Sequence, residues 1–421
     1  MPAFGLYFSN TIFLFYFSHE VVTFLYIAGL VLFIYLFCSI TYLLVIAIAG
    51  LMYKEDAPPQ SPVFARIAIL IPSYRDDHII TATAAEALHH DYPADKFDVV
   101  VVADSLNHAT IYALRNQGIR VIEVNAHMKS RSINAALSTL PDDKYDLVML
   151  LDADNIMKPG CLRMVNNYFQ AGHMAIQCHR TAKNENNNVA LLDAISEEIN
   201  NHLFRLGQQS LGFSAAPSGS GMAFEIRLLK SIFNWKPILE NPGEDREIDM
   251  QMLKRGIRMH FIPDAWVLDE KVASHDVFEK QRLRWLEAQW YHLRMFWEPE
   301  MKGIRKDRHY YNKLVQNMLL PRSLYLVVFS AITVLVIIRY LTGWEMFFPV
   351  PGWWLSLMLF FLLTLAIAMP SRYYSSPTFK ALLSLPTLML SMIKALVRVK
   401  KGRKEFLHTP KTFTGMKQSQ E

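Results

Sequence analysis

The chain has 421 residues, 52% of them hydrophobic, and a formal net charge of +5. That apolar share is too high for a soluble protein of this length, and the length exceeds one ordinary domain. The Lys and Arg residues flank apolar stretches and form no stripe, which argues against a nucleic-acid partner, while three scattered cysteines (Cys38, Cys161, Cys178) supply neither a disulfide framework nor a zinc site and fit a reducing compartment.

The aromatic segment 4–17 has no basic n-region and no small-residue cleavage site, so a removable signal peptide is not expected. Residues 21–52 are almost free of charge and exceed the roughly 20 residues that cross a bilayer. Residues 319–341 and 353–369 are two further candidate spans. Residues 381–397, with Pro386 inside and basic residues on both sides, are expected to lie in the membrane interface. Lys54 and Arg66 follow the first span, and Lys302, Arg305, Lys306, Arg308 and Lys313 precede the second. The connection 342–352 carries Glu345 and no Lys or Arg. Basic residues are retained on the cytoplasmic side, so residues 54–318 are expected inside and the N-terminus outside. The division that follows is a membrane segment 1–53, a cytoplasmic domain 54–300, a C-terminal membrane region 301–398 and a basic tail 399–421. An integral protein of a bacterial inner or plasma membrane is expected.

Within the cytoplasmic part, strands are expected at 66–71, 98–103, 119–124 and 145–151, alternating with helices at 78–89, 107–118 and 129–140. Apolar runs without alternation belong to strands buried on both faces, and repeated strand–helix units give a parallel sheet with right-handed crossovers. No GxGxxG follows the first strand, so an ordinary dinucleotide fold is not supported. Further helices are expected at 159–170, 188–209, 242–256 and 276–297, with a Gly/Ser turn at 218–221. His89, His90, His173, His179 and His202 have no ligand spacing and read as surface or satisfied histidines.

The chemistry gathers at strand ends. The run DLVMLLDADN, residues 146–155, ends in Asp152 and Asp154, one residue apart and placed to hold a divalent cation. A lone DxD triplet is ordinarily a solvated turn, Asp104 alone a strand-end residue and Lys129 alone a solvated helix residue. Together they put a carboxylate for a base edge, a cation for a diphosphate and acids for a metal on one sheet edge.

In sequence order, IPSY at 71–74, VVAD at 101–104, KSRSINAAL at 129–137, DADN at 152–155, GSGMAF at 219–224, GEDREIDMQ at 243–251 and QRLRW at 281–285 resemble the membrane-integrated family 2 glycosyltransferases, which include cellulose, chitin and hyaluronan synthases. The resemblance covers residues 66–297. It implies an α/β fold of the GT-A (nucleotide-diphospho-sugar transferase) type with a mostly parallel sheet, inserted between transmembrane helices. It implies an inverting transfer of sugar from a UDP-sugar to a growing glycan, with export across the membrane, or else a single transfer to a lipid acceptor as in ceramide glucosyltransferase-like members. Carried over, Asp104 is similar to the uracil contact and Lys129 to a diphosphate contact, with Pro72 and Tyr74 beside the donor. Asp152 and Asp154 resemble the pair that holds Mg2+ or Mn2+. Asp245 matches the general base, with Glu244 as the neighbour most easily confused with it. Gly219, Ser220 and Gly221 match a turn under the acceptor sugar. Gln281, Arg282, Arg284 and Trp285 resemble the motif that closes over donor and acceptor. In a QxxRW pattern Gln281, Arg284 and Trp285 match, so Arg284 is the pattern's arginine. Where the family often has a second acid near Asp104, this chain has Ala103 before it and Asn107 after it. The implied partners are the donor, a glycan or lipid-linked acceptor, the bilayer, and a homo-oligomer or export partner.

Overall fold

The computed structural model describes residues 19–54, 57–241, 243–271, 275–342 and 349–398. The aromatic segment 4–17, most of the 342–352 connection and the basic tail 399–421 lie outside the described residues.

The first apolar run forms α1 (His19–Leu51), within which Thr23–Leu51 has a mean hydropathy of 2.6. It is long and apolar enough to cross a membrane, as are two later helices. The chain then enters the sheet with β1 (Ile67–Tyr74), followed by α2 (Ile80–Glu86), β2 (Phe97–Asp104), α3 (His108–Asn116), β3 (Arg120–Val124), α4 (Lys129–Thr139) and β4 (Leu147–Leu150). These match the expected alternation. Pro72, expected to end the first strand, sits inside it and pairs in register with Val102. The reason is on the other side. Pairing of β1 with β4 stops at Leu70, so the N–H that Pro72 lacks has no ladder partner to lose.

Beyond Asp154 come β5 (Ile156–Met157), α5 (Cys161–Gln170), β6 (Ala175–Ala182), α6 (Asn188–Asn200), α7 (Gln208–Ser210), β7 (Met222–Glu225), α8 (Ile226–Phe233), α9 (Glu244–Lys254), β8 (His260–Asp269) and α10 (His275–Met295). α5 begins after Gly160 and not at Pro159, because Gly160 adopts a left-handed φ of +82° that no helix contains. β6, β7 and β8 were not expected. They make the sheet mixed: in the order β3-β2-β1-β4-β7-β6-β8-β5, the neighbours β4/β7, β7/β6 and β8/β5 are antiparallel.

Alternate residues of the central strands feed two cores. Ile67, Ile69, Val99, Val101 and Met149 pack under α2 and α5, while Ala68, Leu70, Val100, Val102 and Leu150 pack under α4, α8 and α9. Each Val, Leu, Ile or Met among them contributes about 1.5–3 kcal/mol on removal from water, which fixes the register of the strand ends.

The expected helix 188–209 continues from α6 to α7 through a π-helical turn, Asn201–Gly207. This turn is where the helix meets α1. His202 Nε2 lies 2.8 Å from Ala47 O, and a Cβ on Gly207 would come within 2.4 Å of Ile46 O. A widened turn lets the two backbones touch. The apolar side of α6 (Val189, Leu192, Ile195, Ile199) joins Leu36, Ile40 and Leu43 of α1 in one cluster. That cluster also holds Tyr325 and Phe329 of α12 (Arg322–Thr342), which follows α11 (Arg308–Met318), and Phe361 of α13 (Pro351–Ala368). The sequence 381–397 divides into α14 (Ser376–Leu382) and α15 (Leu385–Val397), with Pro386 in the first turn of α15, where its missing N–H is harmless.

The expected satisfied histidines divide. His179 lies 2.8 Å from both Pro263 O and Glu198 Oε2, whereas both ring nitrogens of His90 are buried without a hydrogen bond. His260 is 8% exposed and stacks on His173 at 4.0 Å between ring centroids. Burial first, and the His173 charge second, push its pKa from 6.5 down to about 3. An unfolded chain binds a proton below pH 6.5 that the folded chain refuses until about pH 3, so stability falls as pH drops through that window, by about 5 kcal/mol. The unfolding midpoint in detergent should therefore fall less steeply between pH 6.5 and 3 for His260→Gln than for the parent chain; parallel profiles would contradict this.

Candidate active site

β1, β2 and β4 run parallel, so their C-terminal ends share one edge. Tyr74 and Asp104 are register partners there. β1 and β2 are each followed by a left-handed residue, Arg75 at φ 58° and Ser105 at φ 60°, which turns the chain sharply off the sheet. Tyr74 meets His127 edge-on at 5.8 Å, and the Arg75 guanidinium lies 5.0 Å from the Tyr74 ring. Asp104 is 1% exposed. Its Oδ2 accepts from His127 N at 2.7 Å and from Ser132 Oγ at 3.1 Å, so its first task is to hold the turn into α4.

That turn delivers Lys129 at the start of α4. Its Nζ donates to Asp152 Oδ1 at 2.6 Å and to the Gly219 carbonyl at 2.7 Å, and lies 3.1 Å from Glu244 Oε1. Burial by itself would lower the lysine pKa, but the Asp152 and Glu244 carboxylates hold it above the usual range. Glu244, 8% exposed, is shifted upward by burial, with Lys129 opposing and Asp245 adding to the rise. Lys129 thus joins three stretches lying far apart in sequence.

Asp152 and Asp154 are joined by a third acid that sequence reasoning missed, Asp269 at the end of β8. One oxygen from each of the three carboxylates lies within 4.8 Å of the others. Asn155 sets the spacing: its Oδ1 accepts from Asp152 N at 3.1 Å, and its Nδ2 donates to Asp269 Oδ1 at 3.2 Å. Asp154 Oδ2 accepts from Glu270 N at 2.9 Å. Three hard oxygen donors brought together against their mutual repulsion suit a hard divalent cation. The signal for Asp269 was the same as for Asp152, an acid closing an apolar run (WVLD).

The Gly/Ser turn is held from beneath by buried Gln177, which accepts from Ser218 N and donates to the Ser220 and Gly221 carbonyls. Gly219 has φ +86°, and a Cβ there would stand 3.7 Å from Asp245 Oδ2. Asp245, in the first turn of α9, accepts from Arg246 N through Oδ1 at 2.8 Å. Ser220 is fully buried, and its Oγ lies 3.5 Å from Arg180 Nη1.

The QRLRW segment lies on α10, with Gln281, Arg284 and Trp285 half-buried. Arg282, expected to close over donor and acceptor, instead pairs with Asp193 of α6 at 2.5 Å, and its guanidinium sits 4.0 Å from the Trp285 ring centre. The physical reason is burial: at 9% exposure the guanidinium needs a resident carboxylate. Pro72, Tyr74, Asp104, Lys129, Asp152, Asp154, Gly219, Glu244 and Asp245 are brought to one edge, while Arg282 faces α6.

The family model "Glycosyltransferase like family 2" matches residues 65–288, more than half of the chain. The chain is 21% identical over 284 residues to a beta-monoglucosyldiacylglycerol synthase of Synechocystis, covering 64% of this chain and 59% of that protein. It is 24% identical over 277 residues to an N-acetylglucosaminyltransferase of Rhizobium meliloti, with 59% and 63% covered. It therefore spans less than two thirds of the length of these curated relatives. Among solved structures, a mannosyltransferase from Pyrobaculum calidifontis in complex with GDP-Man and Mn2+ is similar with a TM-score of 0.52 at 16% identity, covering 90% of this chain and 98% of that one. The shared fold is GT-A, with a mixed, mostly parallel sheet and flanking helices that could span a membrane. By the family model, which covers more than half of it, the chain belongs to glycosyltransferase family 2.

Proposed function

We propose that the protein is a membrane-integrated, inverting glycosyltransferase that moves a sugar from a UDP-sugar to the hydroxyl of a membrane-held glycan or lipid. The observation that carries this reading is the convergence at Lys129, whose Nζ touches the DxD acid Asp152, the Gly219 carbonyl and Glu244, with Asp245 beside Gly219. Asp245 takes the proton of the acceptor hydroxyl. The acceptor oxygen then forms its bond to the anomeric carbon as the bond to the diphosphate breaks, and UDP leaves with the electron pair. A divalent cation, Mg2+ or Mn2+, held by Asp152, Asp154 and Asp269, supplies neutralisation of the diphosphate charge when bound. Tyr74 and Asp104 border the base, and Gln281, Arg284 and Trp285 border the sugar. The basic residues after the first span and before the second support a cytoplasmic catalytic domain over 54–300, between the membrane regions 1–53 and 301–398. Export, with a homo-oligomer or export partner, belongs to the polymer form of this reading.

Single transfer to a lipid is a second form, favoured by α6, which packs one face on the membrane helices and turns the other toward the site. The test is a panel of UDP-sugars with the full chain in nanodiscs and mass analysis of the products. A ladder of sugar additions is expected for the polymer form and one addition for the lipid form. No transfer from any member of the panel would remove the proposal.

A further inference from the structure

Asp245 and the QRLRW segment stand on two different helices, α9 and α10, and a buried polar pair joins these helices away from either. Glu247 of α9 and His292 of α10 are both fully buried, with His292 Nε2 at 3.1 Å from Glu247 Oε2. His292 Nδ1 donates to the Ala288 carbonyl at 2.7 Å, one turn back on its own helix, which leaves Nε2 for the carboxyl group. Glu247 Oε1 accepts from Trp235 Nε1 at 3.1 Å. Asn241 closes the group: its Oδ1 accepts from Gly243 N at 2.9 Å, and its Nδ2 lies 3.5 Å from His292 Nε2. The helices also touch where neither has bulk, since a Cβ on Gly243 would stand 3.2 Å from Ala288 Cβ.

Spacing ties this pair to the site. On α10, Gln281, Trp285, Ala288 and His292 follow one another at intervals of four, three and four, and so share one face of a continuous helix. Ala288 and His292 meet α9, and about two turns earlier the same face carries Trp285 and Gln281. Gln281 Oε1 is buried there and makes no hydrogen bond. On α9, Glu247 lies two residues past Asp245, about 200° round the helix, so the pair grips the back of the turn whose front carries the base. Two apolar side chains could fill the same space and still let α10 slide or rotate slightly. A buried carboxyl and imidazole do not allow this, because a shift leaves each without its partner.

We infer that Glu247 and His292 are positioning residues, whose buried pair fixes the axial and rotational setting of QRLRW relative to Asp245. Both act through α9 and α10 and not by contact with the reacting atoms. The other ties of α10 lead elsewhere, Arg282 to Asp193 of α6 and Gln289 Nε2 to the Asn317 and Leu319 carbonyls at the end of α11. The inference rests on the transferase reading for its effect on turnover, but the setting of α10 can be measured without turnover.

The full chain in nanodiscs is compared with three variants by single-turnover transfer at saturating donor, UDP binding with Mn2+, thermal unfolding and amide exchange over 281–285. The double variant Glu247→Leu, His292→Leu replaces the pair by apolar side chains, a change that often leaves stability level or higher. It is expected to melt at or above the parent temperature and to bind UDP as the parent does, yet to transfer at least about tenfold more slowly, because small misplacements of reacting groups carry such losses. Its amides over 281–285 should exchange at least about threefold faster. Glu247→Gln is the conservative rescue: its Oε1 still accepts from Trp235 and its amide donates to His292 Nε2, so most of the parent rate should remain. Gly243→Ala, at a φ of −109° that alanine adopts, presses on Ala288 without altering either polar group and should slow transfer at least about threefold with UDP binding intact. Parental transfer in the double variant overturns the inference, and so do transfer and melting that fall together, which would make the pair a matter of stability alone. A parallel loss of UDP affinity, a Glu247→Gln protein as slow as the double variant, or a Gly243→Ala protein at the full rate overturns it as well. Unchanged amide exchange in the double variant overturns it whatever the transfer assay gives, whereas a parent inactive with every UDP-sugar, combined with faster exchange in the variant, removes only the transferase reading.

Discussion

Asp245→Asn is expected to lower transfer by about a thousandfold, the span that a positioned general base contributes, while UDP affinity stays near the parent value. Asparagine has the same shape, and its Oδ1 can still accept from Arg246 N, as Asp245 Oδ1 does at 2.8 Å, so the first turn of α9 is preserved. What is lost is the oxygen that stands closest to Gly219, a position where no side chain intervenes. Glu244 does not substitute, since its carboxylate is 8% exposed and engaged by Lys129 at 3.1 Å. The measurement is single-turnover transfer alongside calorimetric UDP binding. Retained turnover would take Asp245 out of the base role, and a parallel loss of UDP affinity would make it a donor contact.

The first half of the catalytic domain was legible because its strands are buried on both faces. Runs such as VVVVA and LVMLL have no other stable home, and acids that close them fall on one edge. The second half was not legible for the opposite reason. β6 carries Gln177, His179 and Arg180, polar groups that read as a loop until their partners are known. Those partners are the 218–221 turn and the acids of α6, which no local pattern announces. Missing β8 meant missing Asp269, although its setting resembled that of Asp152. Lys129, Asp152, Gly219 and Glu244, named by the resemblance, stand together in the structure, whereas Arg282, named with them, turns away. Asp193, 89 residues away, decides its direction. The π-helical turn was equally hidden, because the apolar period of 188–209 survives the widening that contact with α1 imposes.

This contact joins the site to helices that are long and apolar enough to cross a membrane. α6 is one rigid element with two faces, apolar toward α1, α12 and α13 and charged toward β6 and α10. Asp193 on this helix pairs with Arg282, whose guanidinium lies 4.0 Å from the Trp285 ring centre, so α6 connects α1 to the QRLRW segment.

Lys129→Met is expected to destabilise the fold by about 3 kcal/mol and to reduce transfer at least about a hundredfold. Methionine fills most of the lysine stem, so the effect is electrostatic and not a cavity. Removing the cation leaves Asp152 and Glu244 facing each other without their shared counter-charge, and it frees the Gly219 carbonyl. Glu244, already raised by burial, will then take a proton, while Asp152 loses its lysine partner; UDP affinity should become more steeply dependent on Mn2+ concentration. The lysine pKa lies above its ordinary 10.5, so its stabilisation is fully present below that pH and fades only at higher alkalinity. The stability difference between variant and parent at neutral pH therefore reflects the lost ion pairs, with little contribution from lysine titration. Adding Glu244→Gln to Lys129→Met should restore part of the melting temperature and little of the transfer, because repulsion is relieved but the three loops stay unjoined. A double variant no more stable than the single one, or a Lys129→Met protein with unchanged melting and unchanged Mn2+ dependence, would mean that the three contacts to this lysine do not organise the site.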